Sequence, residues 1–333
     1  MPVSVKGSGG GGVTLDAGAA STDTTLTLPN VNGTILQSGT AVTPAQGGTG
    51  LTSPGTAGNV LTSNGTAWTS SAPTLAVINS QTFDSSGTWT KPAGYAATSR
   101  VLVQAWGAGA SGGRNTTAGA CSGGGGGGYI ERWLNLSQFG ATETITIGAG
   151  GAARTATNQN GAAGGNTTVG SLVTAYGGGG GGSGTNFSGG GGGGQLSAGA
   201  TASTTTTTTD PGRPYIAVQD SDGTGGAAGN PRQGAGCSNT TSNDGVSMSA
   251  LTHGGGGGAS ATNLNAASSV YGGGGGGGAS TGTGGTSLFG GNGGAAGTTT
   301  GGSGVQPGGA GGSATGTSGA GAAGRAIITI FPA

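Results

Sequence analysis

Six blocks of four or more consecutive glycines constrain this chain more than any other feature of its sequence. They occupy residues 9–12, 123–128, 177–182, 189–194, 254–258 and 272–278. Glycine blocks favour an extended, polyproline-II-type conformation with about three residues per turn and a rise of about 3.1 Å. Glycine also loses more backbone entropy on ordering than any other residue. Ordered blocks therefore require a dense network of hydrogen bonds between neighbouring segments. Mobile loops are the alternative interpretation.

Charged residues are scarce and avoid the glycine-rich part. Lys plus Arg and Asp plus Glu number nine each in 333 residues, and none lies at 155–209 or at 245–324. Tightly packed glycine segments have little room for charges, whose burial is costly, and disorder driven by high charge is excluded. Nine basic residues cannot form a phosphate-binding face, so nucleic-acid binding is excluded. The 88 glycines occur in blocks rather than at every third position, which excludes collagen.

The apolar pattern predicts an all-β chain. No apolar period of 3.6 residues persists for three turns, so we expect almost no helix. The final alternating run, 326–331, has no other apolar run near it in the last 30 residues. It must therefore pair with a distant strand near the start of its domain. The predicted strands contain Phe83 and span 101–106, 129–136, 143–147, 171–176 and 326–331.

Changes in residue composition along the chain predict three regions. Residues 1–48 form an N-terminal attachment or shaft module, 49–75 a linking segment, and 76–333 a glycine-rich β domain with a variable insert at 195–253. Short strands such as those before residue 75 cannot bury a core alone. Identical chains are therefore expected to associate and bury their apolar faces against one another. No apolar stretch approaches the length of a membrane span, so no membrane insertion is expected.

Chemical motifs are weak throughout. His253 is the only histidine, and no partner spacing indicates a catalytic triad, so no enzyme activity and no cofactor is predicted. The sequence Asp220-Ser221-Asp222-Gly223 lacks the bidentate glutamate of a calcium loop, so no metal is predicted. Cys121 and Cys237 are interpreted as free thiols in a reducing compartment, with a single disulfide as the alternative.

Several large side chains lie within or beside the segments between glycine blocks, surrounded by Ser, Thr and Asn. Isolated aromatic and apolar side chains of this kind are typical of binding contacts. The alternative is that each one packs over a layer of glycines. The predicted receptor contacts are Phe187, Tyr215, Leu251, His253, Tyr271 and Phe289.

A set of motifs resembles the glycine-rich domain of bacteriophage tail-fibre and receptor-binding proteins. They are FDSSGTWTKPAG, RVLVQAWGAGA, GGGGGGYIERW, ETITIGAGG, SLVTAYGGGGGG and the closing RAIITIF. The resemblance covers residues 80–333, and 47–68 is similar to a short segment common in phage fibre proteins. It implies a jelly-roll-like frame with packed polyglycine helices and loops that contact the host receptor. The insert 195–253 departs from the family pattern.

The resemblance implies a homotrimeric tail-fibre subunit in the virion, made in the host cytoplasm. Its N-terminus would join other tail or baseplate proteins, and its loops would bind a host surface glycan or an outer-membrane protein. The alternative is a structural fibre of the head, collar or tail tip with no receptor. A glycan-cleaving spike would need paired carboxylates, and an ice-binding bundle would need a regular glycine repeat.

Overall fold

The computed structural model describes two compact units, Met1–Leu75 and Ala76–Ala333, each of which is treated separately below. The described residues are 3–6, 12–15, 42–43, 48–53, 55–71, 77–117, 120–184, 188–202, 208–209, 237–238, 253–259, 265–278 and 281–333.

The described part of the first unit contains two antiparallel hairpins. Strand β1 (Val3–Lys6) pairs with β2 (Gly12–Leu15), and β3 (Val60–Ser63) pairs with β4 (Trp68–Ser71). The predicted turn at Asn64-Gly65 joins β3 to β4, and the Asn64 amide donates to the carbonyl of Ala67 at 3.1 Å. Two-stranded sheets of this size are marginally stable in water when they stand alone.

The second unit is built on two open, four-stranded antiparallel sheets. Its strands are β5 (Asn79–Phe83), β6 (Gly87–Thr90), β7 (Arg100–Trp106), β8 (Tyr129–Asn135), β9 (Thr142–Thr146), β10 (Thr167–Val169), β11 (Val173–Ala175), β12 (Thr208–Thr209), β13 (Cys237–Ser238) and β14 (Arg325–Phe331). One sheet has the order β5-β14-β7-β8 and the other β11-β10-β9-β6, while β12 pairs with β13. In the described ranges the only helix is the 3-10 turn Leu136–Gln138, which confirms the all-β prediction. The jelly-roll connection stays a prediction.

Alternation along the strands builds the core between the two sheets. Val101 and Val103 of β7 are fully buried and lie in the same sheet as the buried Ile328 and Ile330 of β14. Strand β14 also pairs with β5, so the chain end returns to the first strand of the domain, as the lone apolar run predicted. The second sheet contributes Trp89, which is completely buried.

Beyond the sheets the chain forms a polyglycine bundle, and its central segment is 123–128. Gly125 and Gly128 donate to the carbonyls of Gly179 and Tyr176, at 2.8 and 2.9 Å. Residues three apart thus bond to the same neighbour, as expected for a helix with about three residues per turn. The same three-residue spacing holds for the other amides. Those of Gly123 and Gly126 donate to carbonyls of segment 256–259, and those of Gly124 and Gly127 to carbonyls of segment 308–311.

The carbonyl groups of the central segment point to three further neighbours. Those of residues 125 and 128 accept from segment 107–110, those of 123 and 126 from segment 190–193, and those of 124 and 127 from segment 273–276. The central segment is therefore bonded to six surrounding segments. For the five glycine blocks between residues 123 and 278, this arrangement confirms the predicted packed polyproline-II-type helices. Most of block 9–12 lies outside the described residues.

The interior of the bundle has no room for side chains. A Cβ atom built on Gly126 would overlap the carbonyl oxygen of Gly273, and one built on Gly178 would overlap that of Gly125. By contrast, a Cβ built on Gly87 in strand β6 has no atom nearer than 3.9 Å. Glycine at the packed positions is thus required by the spacing between backbones.

We expect Gly126→Ala to lower the free energy of unfolding by about 3 kcal/mol, because the new methyl group must push a bonded backbone aside. The matched control is Gly87→Ala, which should change it by less than about 1 kcal/mol, in favour of alanine. Urea unfolding followed by tryptophan fluorescence measures both. Equal effects of the two substitutions would contradict the packing described for the bundle.

Candidate functional site

One end of the polyglycine bundle collects large side chains, because the strands of the sheets lead directly into the glycine segments. Trp106 ends β7 immediately before Gly107, and Tyr129 begins β8 immediately after the central segment. We call this end the near rim. Later segments join it in register, since the Tyr129 amide donates to the carbonyl of His253 at 2.7 Å and Trp106 Nε1 to that of Tyr271 at 2.6 Å.

Five rings at the near rim form a continuous aromatic stack. The Tyr271 ring lies parallel to those of Tyr129 and Phe289, with centroid distances of 5.1 and 4.8 Å. The His253 ring lies 5.4 Å from Tyr129 and 5.3 Å from Tyr271, and Trp106 lies 4.8 Å from Tyr129. Tilted and offset ring pairs at such distances contribute beyond the apolar area that they bury.

The aromatic stack runs from the interior to the surface. Tyr129 is fully buried and Trp106 is 5% exposed, whereas Phe289 is 54% exposed and its neighbour Leu288 is 73% exposed. At the outer end of the stack, the Phe289 ring is therefore exposed to solvent while it rests on the ring of Tyr271. An exposed apolar side chain held in place from behind has little side-chain entropy to lose on binding.

The structure brings together three of the six predicted receptor contacts, namely His253, Tyr271 and Phe289. The other three, Phe187, Tyr215 and Leu251, lie outside the described residues. The role of all six in receptor binding stays a prediction.

Sequence reasoning missed Trp106 and Tyr129 as members of this cluster. The signal was present, because each member except Phe289 directly adjoins one of the glycine segments 107–110, 123–128, 254–258 or 272–278. Segments that bond in register must place the residues at their ends side by side. Phe289 follows the same rule at the shorter glycine pair 290–291.

The Tyr129 hydroxyl is held in a polar chain at the inner end of the aromatic stack. Gln104 Nε2 donates to it at 2.8 Å, and it donates to Glu131 Oε2 at 3.1 Å. Burial is the main cause that raises the pKa of Tyr129 well above its usual range, and the Glu131 carboxylate adds to the effect. The phenol therefore stays protonated at neutral pH and serves as a fixed hydrogen-bond donor.

A groove opens beside the near rim, between strands that lie at the edges of the two sheets. Strand β8 is an edge of one sheet and β11 is an edge of the other. The groove has a volume of about 410 Å³, and Glu131, Arg132, Leu172, Tyr176, Gln195 and His253 are among the residues that line it. We call it the edge groove. Gln195 and His253 are also the first and last residues of the predicted insert.

The opposite end of the bundle, the far rim, carries the turns that reverse the glycine segments. Arg114 lies there, where its backbone pairs with Gln159, and Arg154 pairs with Ser318. Among the described residues, the acidic side chains Asp84, Glu131 and Glu143 all lie in or beside the sheets. In its described part, the far rim is therefore positively charged.

Cys121 is a free thiol and is buried near the far rim. Its sulfur donates to the carbonyl of Ala314 at 3.7 Å. Burial raises the pKa of this thiol, so little reactive thiolate forms at neutral pH. The structure thus agrees with the interpretation of Cys121 as a small packed residue.

The described ranges contain no group of three or more His, Cys, Asp or Glu side chains placed to hold a metal ion. Within the same ranges, no helix has both the length and the apolar character needed to cross a bilayer.

Replacing Tyr129 with Phe should alter how stability depends on pH. Above about pH 10 an unfolded tyrosine ionises, while Tyr129 in the folded chain stays protonated, so folding loses stability as the pH rises. We expect the free energy of unfolding to fall less steeply above about pH 10 in Tyr129→Phe than in the wild type. Urea unfolding at a series of pH values measures both slopes, and parallel slopes would contradict the assignment.

The chain matches the family described as the glycine-rich domain over residues 78–331. No curated protein matches the chain. The matched residues contain both four-stranded sheets and all the segments that surround 123–128. This family is defined by its domain and not by a role in a virus particle, so the resemblance to phage fibres stays a prediction. Because the match covers residues 78–331 of a 333-residue chain, the chain belongs to the glycine-rich domain family.

Proposed function

We propose that this chain is a subunit of a bacteriophage tail fibre that binds a receptor on the host cell surface, by recognition alone and without a catalytic step. The assignment to a fibre is supported by the sequence resemblance over residues 80–333. The binding role is supported by the way the polyglycine bundle distributes its side chains.

The observation that carries the proposal is the contrast between the interior of the bundle and its rims. Interior positions such as Gly126 and Gly178 admit no Cβ atom, so the bundle cannot vary there. The rims carry exposed side chains such as Leu288 and Phe289 on a support that hydrogen bonds hold in place. A rigid scaffold that carries variable turns is the usual arrangement for binding sites on loops.

Trimer formation is part of the proposal and draws support from the first unit. Val60, Leu61 and Trp68 are 44%, 46% and 39% exposed on the β3–β4 hairpin. An isolated hairpin with exposed apolar side chains gains stability when several copies of the chain associate and bury those side chains against one another. Several copies on one virion also raise the avidity of a weak site.

We expect the purified chain to sediment at about three times its mass of 30.2 kDa, because association covers apolar side chains of the first unit. Replacing Trp68 with Ser should shift the equilibrium toward the monomer. Analytical ultracentrifugation measures both species. A monomeric wild-type chain over the full concentration range would remove trimer formation from the proposal.

Immunogold electron microscopy of intact virions tests the location. The antibody is raised against residues 195–253, and gold is expected at the free end of a tail appendage. Gold on the head or collar would instead favour a structural fibre without receptor binding. Absence of gold from all particles, with the protein confirmed in infected cells, would overturn the virion assignment.

Phe289→Ala should weaken binding to host cells, because it removes the exposed ring at the outer end of the aromatic stack. The test measures how well purified protein competes with virions for adsorption, and we expect a loss of about tenfold in potency. Ile78→Ala is the matched control, since Ile78 is 57% exposed and Phe289 54%. Equal potency of both variants and the wild type would remove Phe289 from the contact surface.

A further inference from the structure

The sheet with the order β5-β14-β7-β8 ends in two edge strands, and its hydrogen bonds show which backbone groups the β8 edge presents. The Tyr129 amide of β8 donates away from β7, to the carbonyl of His253. The direction of bonding alternates along a strand, so the amides and carbonyls of Glu131 and Trp133 also point away from β7. Within the described ranges, nothing bonds to the amides of these two residues.

The same alternation, carried across the sheet through β7 and β14, identifies the open groups of β5. Every pairing in this sheet is antiparallel and continuous in register. The residues of β5 that bond to β14 are therefore 79, 81 and 83. Ser80 and Thr82 direct their amides and carbonyls outward, and no bond to either amide is present in the described part of the chain.

Both edges are exposed over a short central stretch. Residues 80–82 of β5 and 131–133 of β8 are exposed, whereas Phe83, Tyr129 and Leu134 are buried. Exposed and unpaired edges of this kind are templates for another strand. An extended polypeptide is the partner whose donors and acceptors match the spacing of these groups.

The two edges are complementary to each other, which favours a second copy of this chain as the partner. The edge strands of a sheet of four antiparallel strands run in opposite directions, so β5 of a second copy fits antiparallel beside β8. Trp133 lies in one row across the sheet with Ser80, and Glu131 with Thr82, through their partners in β7 and β14. A rotation about an axis parallel to the strands keeps those rows aligned.

In this register Ser80 lies opposite Trp133 of the neighbouring copy, and Thr82 lies opposite Glu131. Each pair exchanges two backbone hydrogen bonds, because all four residues direct their backbone groups outward. Neither pair places like charges opposite each other, which would be destabilising. The contact therefore satisfies the open groups of both edges at once.

The outer face of this sheet gives a second reason for copies to associate. We use this term for the face that carries Leu102, Trp133, Ile327 and Phe331, since the alternate residues of these strands form the core. Trp133 is 48% exposed, and the other three side chains are half-buried. Copies that surround a common axis would bury these apolar side chains together.

We propose that β8 of one copy pairs with β5 of the next, and that three copies close into a ring with their outer faces toward the axis. Such a contact is heterologous, and it closes when the rotation between copies is one third of a turn. This inference rests on the trimer of the proposed function and deepens it, because it assigns an interface to the second unit.

Cross-linking of cysteine pairs in the full-length chain tests the pairing. Ser80→Cys combined with Trp133→Cys places thiols at a hydrogen-bonded pair whose Cα atoms lie about 5.5 Å apart, within reach of a disulfide. In one chain the two positions are separated by three strand spacings, about 14 Å, so they cannot bridge. Mild oxidation should give bands at about two and three times 30.2 kDa on a non-reducing denaturing gel.

Thr82→Cys combined with Glu131→Cys is a second pair in the same register, so the proposal stays testable if the loss of Trp133 prevents folding. Thr88→Cys combined with Trp133→Cys is the matched control, since Thr88 is an exposed residue of β6, an edge strand of the other sheet. The control and each single variant should remain at the mass of one chain. Circular dichroism shows whether each variant is folded.

Three results would overturn the proposal. The first is that neither pair cross-links in folded variants, or that the control cross-links equally. The second is a ladder of bands that continues beyond three copies, which indicates an open chain of subunits rather than a ring. The third is a dimer formed by Trp133→Cys alone, which would place two β8 strands side by side.

The outcome separates this inference from the proposed function. A wild-type chain that sediments as a trimer, while neither cysteine pair cross-links, would leave the trimer intact and exclude pairing between β8 and β5. Cross-linked trimers, together with gold on the head or collar, would support the edge pairing and overturn the tail-fibre role.

Discussion

Hydrogen bonds between glycine segments, whose backbones carry no side chains, determine the architecture of the second unit. Segment 123–128 is bonded to six neighbours, and a methyl group on Gly126 or Gly178 would overlap a neighbouring carbonyl oxygen. Each bond offsets part of the large entropy that glycine loses when it is ordered. The bundle is consequently close to all-or-none, because removing one segment leaves bonding groups unsatisfied on several others.

The two sheets and the bundle depend on each other through continuous chains. Trp106 and Tyr129 belong both to strands and to the ends of glycine segments, so strand pairing sets the register of the first segments. Later segments then join by bonds such as that from Tyr129 to the carbonyl of His253. Register in the bundle is what brings together His253, Tyr271 and Phe289, each of which lies 18 residues from the next in the sequence.

Much of this fold could be predicted from the sequence because its signals are local. Alternating residues indicated β7, β8 and β14, and the isolation of 326–331 indicated a distant partner. The aromatic stack was harder to foresee, since the position of an aromatic residue beside a glycine segment does not show which other segments will pair with that segment. The edge groove was missed for a similar reason, because strands β8 and β11 come together only through the packing of the two sheets.

The scarcity of apolar surface in the bundle has a thermal consequence. The heat capacity of unfolding rises by about 0.45 cal/mol/K for each Å² of apolar surface exposed and falls by about 0.26 for each Å² of polar surface. Unfolding a segment such as 123–128 exposes mainly peptide groups. The bundle therefore contributes little to the curvature of the stability curve. Its contribution falls nearly linearly as the temperature rises, with a slope set by the large backbone entropy that glycine regains on unfolding.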